Sequence, residues 1–209
     1  MIYLKNMWRV REYLKSRFFF EKILIKKKIN FGSYKANSSF LRMLKNSKFY
    51  FEYGSGSSTF EAKKLGVKFI SIESDKKIFE TIKKQLKTNN IKYFSLGPTS
   101  LFSYPIFLLN KKINNYIKSV NKHLTRNTQL KMILIDGRFR VACCLNLLNF
   151  KEIIIKKKII ILLDDFIKRP HYEVLNNYFR IKLIGRMALL TPKKIINKEV
   201  FKKYIFDPR

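Results

Sequence analysis

The residues best suited to chemistry in this chain of 209 residues are carboxylates and glycines at the ends of apolar runs. Glu52, Gly54 and Gly56 stand in "FEYGSGSSTFE", directly after the run "KFYFEY". Glycine at a strand end lets the backbone turn sharply and approach a ligand without a Cβ in the way. A helix N-terminus following such a turn offers free N–H groups. Glu73 closes the next apolar run, 19 residues after Gly54, close to the spacing at which an acid meets the ribose hydroxyls of a bound nucleoside. A second acidic group, Asp136, Asp164 and Asp165, closes two later runs, "KMILID" and "IIILLDD". Crowded carboxylates need protons, cationic partners or a metal to coexist. Two readings stay open for the three: oxygen ligands for Mg²⁺ or another divalent cation, or ion pairs with Arg138, Arg140 and Arg169, which are close in sequence. Cationic side chains there would also suit a phosphate or carboxylate on a substrate. His171 follows Arg169-Pro170 and can take a proton near neutral pH. It reads either as a general base or as a polar residue at a helix start.

The elements that position these residues follow from pattern. Buried strands are expected at Lys48–Tyr53, Val67–Glu73, Ile91–Leu96, Lys131–Gly137 and Lys157–Asp165, the last continuous in Ile and Leu as when helices cover both faces. Ser58 and Glu61 form an S-x-x-E capping box for a helix that Gly66 can end. Asp75 caps a second helix with Ile78, Ile82 and Leu86 on one face. Helices are expected near Ile106–Leu124, over "RVACCLNLLNF" and briefly near His171–Phe179, with a hairpin around Gly185. The alternation predicts a doubly wound, mostly parallel α/β sheet with helices on both faces and an antiparallel C-terminal strand. Residues 1–37 read as an N-terminal helical extension.

The apolar share of 46% allows a real core and excludes a disordered chain. Lys or Arg interrupts every long apolar stretch, which excludes a membrane-spanning helix. No uninterrupted apolar segment followed by small residues marks a signal peptide, and the adjacent Cys143 and Cys144 do not form an ordinary structural disulfide. A reducing, cytoplasmic setting is expected. The net charge of +31 reads either as a surface for nucleic acid or anionic lipid or as a compositional bias toward Lys. Its spread along the whole chain favours the second reading. The basic segment "YLKSRFFFEKILIKKK" could lie at an anionic bilayer or pack on the domain.

Glu52 is poorly placed for a pyrophosphate but well placed for a cofactor with a cationic amino group. Together with Gly54 and Gly56 it resembles the E/D-x-G-x-G motif of the class I, Rossmann-like S-adenosylmethionine-dependent methyltransferases. The resemblance covers roughly residues 38–191. It implies that Glu52, Gly54 and Gly56, with Ser57 beside them, face the methionine part of S-adenosyl-L-methionine, while Glu73 and Ser74 meet the ribose. Residues 38–209 would then be the methyltransferase domain. The Asp136…Asp164-Asp165 pattern is similar to that of the metal-dependent O-methyltransferases, which implies a divalent cation on these three residues and O-methylation of a small-molecule or saccharide acceptor, anionic acceptors included. Arg138 departs from the sugar-type pattern, which has an acid at that position. The phrases at Glu52–Thr59, Gly97–Thr99, Ile135–Arg140 and Asp164–Tyr172 more closely resemble an uncharacterised bacterial group of the same superfamily. An RNA methyltransferase is the alternative enzyme, against which Asp164-Asp165-Phe166 stands where an amide–Pro motif for base amines would be expected. A non-catalytic membrane-surface or partner-binding protein is the third reading.

Overall fold

Seven strands form one sheet in a computed structural model that describes residues 28–100, 103–196 and 198–209. The strands are β1 (Phe49–Tyr53), β2 (Lys68–Glu73), β3 (Ile91–Tyr93), β4 (Leu130–Ile135), β5 (Ile160–Leu163), β6 (Phe179–Ile184) and β7 (Met187–Pro192). Their order is β3-β2-β1-β4-β5-β7-β6. The first five pair in parallel, and β7 runs antiparallel to both β5 and β6. The chain winds outward from β1 to β3, then returns to β4 on the other side of β1. The strand order therefore reverses between β1 and β4, the place where open α/β sheets bind ligands.

Alternation along the strands sends apolar side chains to both faces. Phe51, Ile133, Ile135, Ile161 and Leu163 enter one core layer, and Tyr50, Phe69, Met132, Leu134 and Leu162 enter the other. The second layer is covered by α1 (Tyr34–Lys45), α2 (Ser57–Lys64) and α3 (Lys76–Leu86), through Phe40, Leu44, Ala62 and Ile82. The first is covered by α4 (Asn110–Ile117), α5 (Asn121–Arg126) and α6 (Arg140–Leu147). All eight residues of α6 are buried, Cys143 and Cys144 among them as free thiols. Two further short α-helices among the described residues are α7 (Lys151–Lys157) and α8 (Lys198–Tyr204).

Two expectations are corrected here. The boundary at residue 37 falls inside α1, whose Ser33 hydroxyl caps it by accepting from Ala36 N–H at 3.1 Å and whose Phe40 and Leu44 belong to the core. Helix α2 starts at Ser57 rather than at a Ser58 cap: Thr59 Oγ1 accepts from Gly56 N–H at 2.9 Å, while Ser58 is drawn inward by Glu52. The short helix expected near His171–Phe179 is present as a 3₁₀ helix, Pro170–Asn177. The greater part of the N-terminal extension, with its proposed bilayer contact, lies outside the described residues. Among those described, no helix is long and apolar enough to cross a membrane.

Candidate active site

The glycine loop is anchored from below. Glu52 is fully buried and its carboxylate accepts from Tyr50 Oη at 2.7 Å, from Ser58 Oγ at 2.6 Å and from Thr59 Oγ1. Burial pushes its pKa up, and the hydroxyls of Ser58, Thr59 and Tyr50 oppose that. The pleat aims Glu52 at α2, so it ties the loop to the strand and does not line the cleft. Its expected place against the methionine part is corrected on this ground. Ser57, the first residue of α2, does not line the cleft either.

The two glycines differ in kind. Gly54 sits at φ +88°, its N–H donates to Ile72 O at 2.8 Å, and a Cβ there would stand 2.7 Å from Asp136 O. The chain itself demands that glycine. Gly56 has extended backbone, and a Cβ built on it meets nothing within 4 Å. Its missing side chain leaves open space in the loop.

A polar cleft of about 180 Å³ opens over this switch point. Gly54 and Ser55 form one wall, Glu73, Ser74 and Ile78 a second, Ser103 a third, and the segment Asp136, Gly137, Arg138 with Arg140 a fourth. The Glu73 carboxylate is held by three N–H donors: Ser55 on Oε2 at 2.8 Å, Ser74 and Asp75 on Oε1 at 2.6 and 2.8 Å. Burial nevertheless pushes its pKa up to about 7 against those donors. A carboxylate has roughly four acceptor sites, so Glu73 retains capacity for one more donor.

The three aspartates offer oxygens within 4.8 Å of one another, close enough for one cation. The surrounding charges decide how they are used. Arg140 Nη2 lies 2.9 Å from Asp136 Oδ1. Arg186 grips the fully buried Asp164 through Nε at 3.0 Å and Nη2 at 2.7 Å, and reaches Asp165 at 3.1 Å. Arg169 pairs with Asp165 at 2.9 Å. Three guanidiniums thus neutralise three carboxylates. A divalent cation placed among them would face those guanidiniums at close range, so this donor set does not fit a metal, and the arginine-paired reading holds. Burial pushes Asp136 up to about 7; Arg140 opposes this, and Asp164 and Asp165 add to it. Asp136 keeps 37% of its side chain exposed.

Of the arginines expected at the substrate, only Arg138 is free to act. Arg140 is buried and fully committed: Nε donates to Gly137 O at 2.9 Å, Nη1 to Asp164 O at 3.0 Å and Nη2 to Asp136. Arg169 is spent on Asp165 and lies 5.8 Å from the Tyr172 ring centroid. His171 does not line the cleft. Its ring meets Tyr172 at 4.4 Å, its Nε2 is buried without a partner among the described residues, and burial together with Arg209 pushes its pKa down, with Asp207 opposing. A proton acceptor must reach the reacting group, and His171 stands outside the lining of this cleft.

Ser55 and Ile78 line the cleft, and Arg186 completes the charge cluster; sequence reasoning named none of these three as site residues. Ser55, inside the glycine motif, carried a usable signal. Arg186, 22 residues from Asp164 in the chain, carried none.

No protein-family model and no curated protein matches the chain. Among solved structures, the fold is similar to that of a methyltransferase-like protein (spo2022) from Silicibacter pomeroyi DSS-3, with a TM-score of 0.68 and 22% sequence identity, covering 88% of this chain and 100% of that one.

Proposed function

We propose that the protein is an S-adenosylmethionine-dependent methyltransferase acting on an acceptor hydroxyl. The observation that carries this reading is the cleft at the strand-order reversal, where Gly54 and Ser55, Glu73 and the Asp136 carboxylate meet. Glu73 has the remaining acceptor capacity that a ribose hydroxyl requires, and Gly56 leaves room for a ligand where the protein needs none for itself. The similar fold of a methyltransferase-like protein supports the same reading. The cleft of about 180 Å³ is below the ~300 Å³ usual for small-molecule sites. Admitting a nucleoside therefore requires the cleft to widen.

When bound, the cofactor would supply an electrophilic methyl group on a sulfonium. Asp136 holds one oxygen on Arg140 and would take the acceptor's hydroxyl proton on the other. A carboxyl near pKa 7 suits a proton acceptor at neutral pH, and the rigid Asp136–Arg140 segment positions the oxygen, which methyl transfer needs more than covalent help. No step passes through a metal.

Calorimetry with S-adenosylhomocysteine tests the reading directly. Micromolar binding by the wild type, lost in Glu73→Ala, is the expected result. Absence of binding to the wild type rejects the proposal.

A further inference from the structure

We propose that the methyl acceptor carries an oxyanion, a phosphate or a carboxylate, and that the Arg138 guanidinium receives it. This rests on the methyltransferase reading for the identity of the ligand as acceptor, though the anion site itself stands on the charges around the cleft. Four guanidiniums crowd this rim of the sheet, and three of them have carboxylate partners within 3.1 Å. Arg138 is the surplus one. Among the described residues its side chain makes no ion pair, although it is half-buried and lines the cleft. A partly buried charge without a counter-charge is unfavourable, and the nearby cations Arg140 and Arg169 add to the cost by like-charge repulsion. An arriving oxyanion removes both penalties at once.

The backbone of Arg138 is held in place. Arg138 N–H donates to Tyr116 Oη at 3.2 Å, and its carbonyl accepts from Cys143 Sγ at 3.7 Å. Gly137 before it has no room for a Cβ, which would stand 2.1 Å from the Tyr116 hydroxyl. Phe139 after it is in the left-handed region at φ +54° and starts α6. A guanidinium presents its fork to two oxygens together, the geometry that phosphate and carboxylate share. Asp136, two residues earlier and in the same cleft wall, stands where the neighbouring hydroxyl of such an acceptor would be deprotonated. A single unpaired guanidinium inside a concave cleft points to a small anionic acceptor. A polymer held along its backbone would need a row of cations.

The test uses titration calorimetry on the wild type, Arg138→Met, Arg138→Lys and the surface control Lys84→Met. With inorganic phosphate as probe, Arg138→Met should weaken binding by about tenfold or more, Arg138→Lys should retain part of it, and Lys84→Met should match the wild type. Glucose 6-phosphate, glucuronate and glucose then separate the sources: the tighter of the two anions names the group, and both should exceed glucose. Equal phosphate binding by the wild type and Arg138→Met, or binding of glucose as tight as that of its anionic forms, overturns the proposal. So does a loss of S-adenosylhomocysteine affinity in Arg138→Met without a loss of methylthioadenosine affinity, which would assign Arg138 to the carboxylate of the cofactor. Circular dichroism of Arg138→Met should match the wild type and its melting temperature should be equal or higher, since an uncompensated charge is removed and no ion pair is lost. If S-adenosylhomocysteine fails to bind the wild type while phosphate still depends on Arg138, the cofactor reading falls and the anion site stands.

Discussion

Arg186 clamps Asp164 with two hydrogen bonds, Nε to Oδ1 at 3.0 Å and Nη2 to Oδ2 at 2.7 Å, joining the β6–β7 turn to the end of β5. Asp164 is fully buried there, and the Arg186 backbone N–H also donates to Phe31 O at 3.0 Å. The same guanidinium reaches Asp165, so the hairpin supplies the charge that lets two adjacent acids sit beside the cleft.

Removing one partner of such a pair leaves an uncompensated buried charge, a loss of about 3–5 kcal/mol. Arg186→Met should destabilise the protein toward the lower end, about 3 kcal/mol, because the guanidinium is 39% exposed. Arg186→Met combined with Asp164→Leu should recover part of that loss. Urea denaturation of the two variants measures it, and a double variant no more stable than the single one would contradict the pairing argument.

The two loop glycines should separate stability from binding. Gly54→Ala forces a left-handed residue and a contact of 2.7 Å with Asp136 O, a cost of about 2 kcal/mol or more. Gly56→Val meets nothing within 4 Å and should keep the wild-type melting temperature. It should weaken S-adenosylhomocysteine binding by about tenfold or more, because its side chain fills the open side of the loop. Thermal melts and calorimetry on both variants give the comparison; unchanged affinity in Gly56→Val would mean the open space holds no ligand.

Strands were legible where their chemistry is local. The apolar runs of β1, β2, β4 and β5 announce buried parallel strands, and the acids and glycines at their ends mark the rim where they stand. β3 stops at Tyr93, short of the expected Leu96, because only its first residues lie beside β2 and the chain then turns toward Gly97. Side-chain direction was not legible. Glu52 and Ser58 each look like participants in local motifs, yet they bond to one another at 2.6 Å beneath the loop, a tertiary contact that overrides the capping pattern. Arg140 has the same residue type as Arg138 two positions earlier, but the first turn of α6 sends it inward to Asp136. Which of the two stays free depends on packing that spacing does not encode.

Glu73 gives the protein a signature in pH. Its carboxyl is raised from an ordinary value of 4.5 to about 7 in the folded state. Between those two values the folded protein binds more protons than the unfolded chain, so stability falls as pH rises through the window and levels off above it. The loss assigned to Glu73 is about 3 kcal/mol. Asp136, also raised to about 7, contributes a slope of the same sign, so Glu73→Gln should remove part of the slope. Melting temperatures from pH 4.5 to 8 for the wild type and Glu73→Gln check this; identical slopes would place the titration elsewhere.

The arginine pairing of the aspartates also predicts how methyl transfer responds to chelation and to charge. Activity on an accepted substrate should survive an excess of chelator, since Arg140, Arg169 and Arg186 already neutralise the carboxylates that a cation would need. Asp136→Asn keeps the shape and a hydrogen-bond acceptor for Arg140 but cannot take a proton, so kcat should drop by about a hundredfold, within the usual range for a lost general base. KM should change little, because the binding contacts remain. The rate of the wild type should rise with pH to a plateau as a group near 7 ionises, and that rise should be missing in Asp136→Asn. Loss of turnover in chelator, with recovery on adding Mg²⁺, would show instead that the arginines give way to a metal.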